Sequence, residues 1–188
     1  MQNQHHGGET AQAGECAGAG LVIPIRDIIK PSGLYIARYY EDGHLVWEDE
    51  IVNLITTAGK NNMLDNHLAG SAYTAAWFMG LVDGAATPTY AAADTMASHA
   101  GWTENVGYSQ GTRPALSWNS AAAGSKALSA PASFSTNASG TIAGAFVASN
   151  SAKSGATGVL YSVGAFTGGN QPVSNNGTLT VSYTSTLT

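Results

Sequence analysis

The chain has 188 residues, of which 7 are Lys or Arg and 12 are Asp or Glu, giving a formal net charge of −5. This length is enough for one domain with a hydrophobic core, or for one domain preceded by an arm. Charged residues make up only 10% of the chain, against roughly 25% in an average soluble domain. Such a balance is typical of β proteins that pack against neighbours, and it disfavours a free soluble enzyme.

Several classes are excluded at once. Cys16 is the only cysteine, so an internal disulfide and a cysteine zinc site are impossible. No apolar run approaches the roughly 20 residues that span a membrane, and no basic stripe suits a nucleic acid. We therefore expect neither a membrane nor a nucleic acid as partner.

The charges are unevenly distributed. All acidic residues lie at or before Glu104, and only Arg113, Lys126 and Lys153 are charged after it. This pattern indicates either two faces that meet different neighbours or a Ser- and Thr-rich β domain that needs few charges.

Residues 1–32 are interpreted as an N-terminal arm and tether, and residues 33–188 as the folded domain. Residues 1–20 show no hydrophobic periodicity, so we expect a flexible arm. They also lack the features of a signal peptide. The following LVIPIRDII, residues 21–29, is apolar, and Pro24 favours an edge strand or an extended tether.

Residues 33–53 predict a β-hairpin. Leu34 and Ile36 alternate with Tyr35, and Asp42-Gly43 suits a tight turn with positive φ. The acidic run at 48–50 is expected to be a solvated strand end.

Residues 57–69 predict one short helix. Thr57 is the expected N-cap, Met63, Leu64 and Leu68 have helical spacing, and Gly70 is suited to end the helix.

The stretch AWFMGLVDG, residues 76–84, predicts a central strand covered on both faces. Apolar side chains fall on both of its faces, namely Trp77, Met79 and Leu81 on one, and Phe78 and Val82 on the other. Gly80 indicates a bulge or a close approach of another group.

Residues 84–114 predict a long excursion with little regular structure, which in a compact domain usually makes a functional contact. Short β-like segments follow at 115–119, 126–136, 140–149, 158–166 and 177–187. The fold class predicted is therefore mainly β, an antiparallel β-sandwich of jelly-roll or immunoglobulin-like type with one short helix. In the last segment Leu179, Val181 and Tyr183 alternate with polar residues, so the C-terminus is expected to pair into a sheet.

The sequence contains no known catalytic pattern, and we expect no enzymatic activity, cofactor or metal. His99 lies between Asp94 and Glu104, but this spacing matches no familiar metal or acid–base site. Asp83 and Asp94 fit a calcium site less well than simple turn formation.

Aromatic residues cluster between 73 and 118. We expect Trp77 and Trp118 in the core, and Trp102 and Tyr108 at the surface, where they would be suited to contact a sugar or a protein partner.

The order of several segments resembles that of a family of tailed-bacteriophage virion structural proteins. The segments are NLITTAGKNNMLDNHLAG (53–70), AWFMGLVDG, ADTMASHAGWTENVGYSQGTRP (93–114), GTIAGAFVAS, GVLYSVGAF and the terminal GTLTVSYTSTL. The resemblance covers about residues 50–188 and implies a non-enzymatic component of the virus particle.

Three functions are weighed on that basis. The first is a capsid decoration or cement protein, made in the host bacterial cytoplasm, that binds the major capsid protein and neighbouring copies of itself on the outer capsid surface as a homodimer or homotrimer. The alternative is a tail or head-fibre component that binds a receptor or glycan. A polysaccharide hydrolase comes last because an acid–base pair is missing. The expected partner-binding residues are Ile23, Pro24 and Ile25 in the tether, and Trp102, Tyr108 and Arg113 in the excursion.

Overall fold

The computed structural model describes residues 30–68 and 76–188. They form two antiparallel sheets and one helix, α1 (Thr57–Leu68). Sheet A contains β1 (Pro31–Glu41), β2 (His44–Val52), β6 (Ser125–Ala127), β7 (Ala132–Ser135) and β11 (Thr178–Leu187). Sheet B contains β3 (Leu54–Ile55), β4 (Phe78–Asp83), β5 (Glu104–Asn105), β8 (Gly140–Ala148), β9 (Leu160–Ala165) and β10 (Gln171–Val173). The mainly β, sandwich-like architecture with one short helix is confirmed.

The C-terminal strand organises sheet A. β11 pairs along its length with β1, and on its other side with β6 and β7. Leu179, Val181 and Tyr183 are at most 1% exposed and face the second sheet, as their alternation predicts. Both ends of the domain are thereby held in one sheet.

The predicted hairpin is confirmed. β1 pairs with β2, and the turn places Asp42 at φ 48° and Gly43 at φ 78°, as a two-residue hairpin turn requires. The domain begins slightly earlier than predicted, because Pro31 and Ser32 pair with residues of β11 instead of belonging to the arm.

The N-cap of helix α1 lies one residue before the predicted one. The backbone N–H of Gly59 donates to Oγ1 of Thr56 at 3.0 Å, so Thr56 is the N-cap and the assignment of Thr57 is wrong. A Cβ on Gly59 would lie 2.3 Å from the carbonyl oxygen of Tyr161, so glycine allows the helix to pack closely on β9. Gly70 lies outside the described residues.

Strand β4 is covered on both faces, which confirms the prediction. Met79 and Leu81 belong to the core between the two sheets, whereas Val82 belongs to a second cluster under the 84–114 excursion. Gly80 makes room for the ring of Phe146, since a Cβ there would lie 2.2 Å from it. β4 lies between β8 and the very short β5, so it is second from the edge of sheet B.

Strand β8 supplies side chains to both cores and contains a bulge. Val82 pairs with Gly144 but Asp83 pairs with Ile142, so Ala143 is an extra residue in β8. Beyond the bulge, Ala145 faces the inter-sheet core and Phe146 faces the second cluster.

The later segments follow the sequence prediction with two exceptions. Residues 115–119 make only isolated bridges at Ala115 and Trp118 instead of a strand. Residues 126–136 form two strands, β6 and β7, with 128–131 between them. Strand β10 lies outside all the segments predicted from the sequence.

Asp49 ties sheet A to the loop that follows β9 and to the start of β10. Its carboxylate accepts hydrogen bonds from Thr167 Oγ1 at 2.8 Å, Gln171 Nε2 at 2.8 Å and the backbone N–H of Gly168 at 3.0 Å. It is only 9% exposed, so at Asp49 the expectation of a solvated strand end is wrong. Burial alone raises the pKa of Asp49, but these bonds and one from the N–H of Glu50 outweigh it, so the pKa lies below its ordinary value.

A carboxyl group whose pKa is lowered by folding stabilises the protein at pH values above its ordinary, unfolded-state pKa. This contribution is lost as the pH falls through the pKa of the folded state. We expect Asp49→Asn to lower the free energy of unfolding at pH 7 by about 1–2 kcal/mol. The deficit should shrink below about pH 4. Urea denaturation from pH 2.5 to 7 measures it, with Asp42→Asn in the exposed turn as the control. A deficit that does not change with pH would contradict this role.

Candidate binding groove

An apolar groove of about 370 Å³ opens at the end of the sandwich where β1 begins and β11 ends. Its apolar lining comes from six elements or loops, through Met63, Trp77, Trp118, Val147, Tyr161 and Leu187. A concave, largely apolar site with a few polar groups is the usual form of a binding site. We refer to this feature as the groove.

Close contacts fix the aromatic wall of the groove. The ring of Tyr161 lies 5.4 Å from that of Trp77, and its hydroxyl group bonds Ser185 Oγ at 3.1 Å. Burial raises the pKa of Tyr161, so this hydroxyl stays neutral. Trp118 meets the ring of Tyr183 edge-on at 6.0 Å. The wall is therefore apolar and uncharged.

The polar lining is sparse. Asn66 Nδ2 donates to Asn62 Oδ1 at 3.0 Å. Asn66 Oδ1 is buried, and no hydrogen-bond partner for it occurs among the described residues. Ser125 and Lys126 of β6 also line the groove, but the Lys126 ammonium is bonded to the carbonyl oxygen of Asn119 at 2.8 Å.

Trp77 and Trp118 were expected in the core. Both are half-buried, pack against the inter-sheet core and also line the groove. The expected core packing is therefore correct for one side of each indole. The other side of each indole lines the groove, which was not expected.

Trp102 and Tyr108 are not surface anchors, so that expectation is wrong. Trp102 is 4% exposed, lies 5.1 Å from the ring of Phe146 and donates its Nε1–H to Asp94 Oδ2 at 3.0 Å. Tyr108 is 1% exposed and meets Phe134 edge-on at 5.0 Å in the inter-sheet core. Both side chains hold the 84–114 excursion onto the domain.

Arg113 is also buried, at 1% exposure, and cannot act as an exposed anchor. Its Nε and Nη2 donate to the two carboxylate oxygens of Glu104, each at 2.8 Å, and its Nη1 donates to the carbonyl oxygen of Asn150 at 2.8 Å. Glu104 also accepts a bond from the N–H of Ser154 at 2.6 Å. This paired and fully bonded charge joins the excursion to the loop between β8 and β9.

The hypothesis of a His, Asp and Glu site is not supported by the geometry. His99 Nδ1 bonds the carbonyl oxygen of Trp102 at 2.9 Å, while Asp94 bonds Trp102 and Glu104 bonds Arg113. Over residues 30–68 and 76–188, no three His, Cys, Asp or Glu side chains are placed to hold a metal ion. Asp83 accepts from the N–H of Ala85 at 2.8 Å, which is the turn-forming role weighed above.

A second cavity of about 300 Å³ lies beside the ion pair of Arg113 and Glu104. Its lining includes His99, Trp102 and Ser154. Its two opposite charges, Arg113 and Glu104, are already committed to each other. The groove is therefore the better candidate site. The remaining predicted partner-binding residues, Ile23, Pro24 and Ile25, lie outside the described residues.

No protein-family model matches the sequence, and a search of characterised proteins finds no significant relative. Among the described residues, no helix has the length and apolar character needed to cross a membrane.

Breaking the buried ion pair should be costly, because it leaves one charge without its partner. We expect Arg113→Met to lower the free energy of unfolding by about 3–5 kcal/mol, and the double change with Glu104→Leu to restore a large part of it. Arg38 and Glu48 provide the control, since their side chains are 38% and 47% exposed, and Arg38→Met should cost under about 1 kcal/mol. Equal losses for the two arginine variants in chemical denaturation would contradict this assignment.

Proposed function

We propose that the chain is a non-enzymatic structural protein of a bacteriophage particle, a decoration or cement protein that binds the major capsid protein shell and stabilises it. Two things support the proposal. One is the resemblance of residues 50–188 to phage virion proteins. The other, which carries the physical argument, is the exposure of aliphatic side chains on regular elements of the domain.

The first exposed group is the sheet patch, formed by Leu34 and Val52. They lie directly opposite each other on β1 and β2, and they are 37% and 72% exposed. Side chains directly opposite on neighbouring strands form a continuous surface. The sheet patch is thus a small apolar area on the outer face of sheet A.

The second group is the helix patch, formed by Leu64 and Leu68. They are one helical turn apart on α1, so they share a face, and they are 56% and 75% exposed. Residues with this spacing normally face a core. Their exposure supports contact with another surface.

Small patches of this kind suit a protein that binds in many copies. Burial of apolar surface contributes roughly 25 cal/mol per Å², so each contact alone is weak. A shell that presents the same contact many times gains stability from their number, and wet, partly polar interfaces are tolerated. Edge strand β2 carries the exposed Glu48 and Glu50, and charges at a sheet edge oppose uncontrolled strand pairing between copies.

The two patches give a direct test. The triple variant Val52→Thr, Leu64→Gln, Leu68→Gln should bind at least tenfold more weakly to phage heads stripped of the protein, because its apolar contact area is reduced. Its unfolding free energy should stay within about 0.5 kcal/mol of the parent, since the sites are exposed. Co-sedimentation measures binding and urea denaturation measures stability.

The matched control is Leu45→Gln with Val46→Thr, at the hairpin end of β2, where both side chains are 53% exposed. This control should bind like the parent. If the triple variant also binds like the parent, the patches are not the attachment surface. If the triple variant and the control lose binding equally, attachment is not specific to these patches.

A further inference from the structure

We propose that the apolar segment LVIPI, residues 21–25, docks into the groove of its own chain. The inference concerns the free protein and does not depend on the proposed function. It rests on where the chain enters the described domain, on the reach of the intervening residues and on the chemistry of the groove.

The entry point is beside the groove. The N–H of Lys30 donates to the carbonyl oxygen of Thr188 at 2.7 Å, and Pro31 pairs with Leu187. Leu187 itself lines the groove. Because paired strands lie about 5 Å apart, Pro31 lies within about one strand spacing of the groove wall.

The intervening chain is long enough. Residues 26–29 separate the segment from Lys30, and each extended residue spans about 3.3 Å. These four residues reach about 13 Å, which is enough to turn over the end of β11 and bring residue 25 to the groove. A segment much further from Lys30 would be joined by a longer tether and would spend less time near the groove.

The chemistry of the two parts is complementary. Four of the five residues at 21–25 are aliphatic, and the groove wall is formed largely by aromatic and aliphatic side chains. Pro24 has no N–H, so it brings no backbone donor that would need a partner in an apolar site. Leu187 remains 43% exposed at the groove, so apolar area is available for burial.

The same chain is favoured over a second copy as the source of the segment. A short tether gives its own segment an effective concentration on the order of millimolar. A separate copy at micromolar concentration would have to compete with that local excess. Exchange of the segment between copies remains an outcome that the experiment can detect.

The experiment uses the full chain with Cys16→Ser and Gly20→Cys, with a nitroxide spin label on the new cysteine and ¹⁵N in the tryptophan indoles. Residue 20 directly precedes the segment, so a label at this position leaves residues 21–25 unchanged. We expect the indole N–H signals of Trp77 and Trp118 to lose at least half their intensity relative to the reduced label. Trp47 is the internal control, because it pairs with Tyr39, eight residues along β1 from Pro31, or about 26 Å.

A second variant adds Ile23→Asp and Ile25→Asp, which should abolish the signal loss because a charge in the groove is unfavourable. No loss at Trp77 and Trp118 in the parent, or equal loss at Trp47, would overturn the proposal. So would a loss that survives the aspartate substitutions. A mixing experiment combines protein that carries the spin label but no ¹⁵N with protein that carries ¹⁵N but no spin label. Signal loss in that mixture would assign the segment to a second copy and overturn docking within one chain.

Discussion

Sheet B is buried on both faces, and the rest of the structure depends on this constraint. Met79 and Leu81 of β4 pack into the core between the sheets, while Val82 packs under the 84–114 excursion. Gly80 leaves space for the ring of Phe146 on that face, and buried ionic and aromatic contacts hold the excursion over it. A sheet that is covered on both faces buries apolar side chains on each of them. Sheet B therefore contributes to both hydrophobic clusters of the domain.

Within residues 30–68 and 76–188, one face of sheet B is closed by sheet A and the other by the excursion. The exposed apolar features that this arrangement leaves include the sheet patch, the helix patch and the groove. β11 holds β1 at one side and β6 and β7 at the other, so these surfaces sit on a domain whose two ends are fastened together.

The regular elements were predictable from local pattern. Alternation along 178–187 and along 34–39 identified two strands, Asp42-Gly43 identified their turn, and the two-sided apolar run at 78–82 identified a buried strand, because each signal depends on neighbouring residues only. Residues 115–119 have a similar β-like composition but form no strand, since their pairing is decided by tertiary contacts. The helix cap moved to Thr56 for a related reason, as its hydroxyl also donates to the carbonyl oxygen of Leu160.

The candidate sites were much less predictable. Trp102, Tyr108 and Arg113 lie in a segment without periodicity, so only the folded structure reveals that they face inward. The groove is assembled from residues between 62 and 187, and the clustering of aromatic residues from 73 to 118 was the sequence signal for it. The central claim, adhesion in bulk to a shell, is tested most directly by the number of copies per particle, measured by gel densitometry of purified phage relative to the major capsid protein. The account predicts hundreds of copies, and finding only a handful would contradict it.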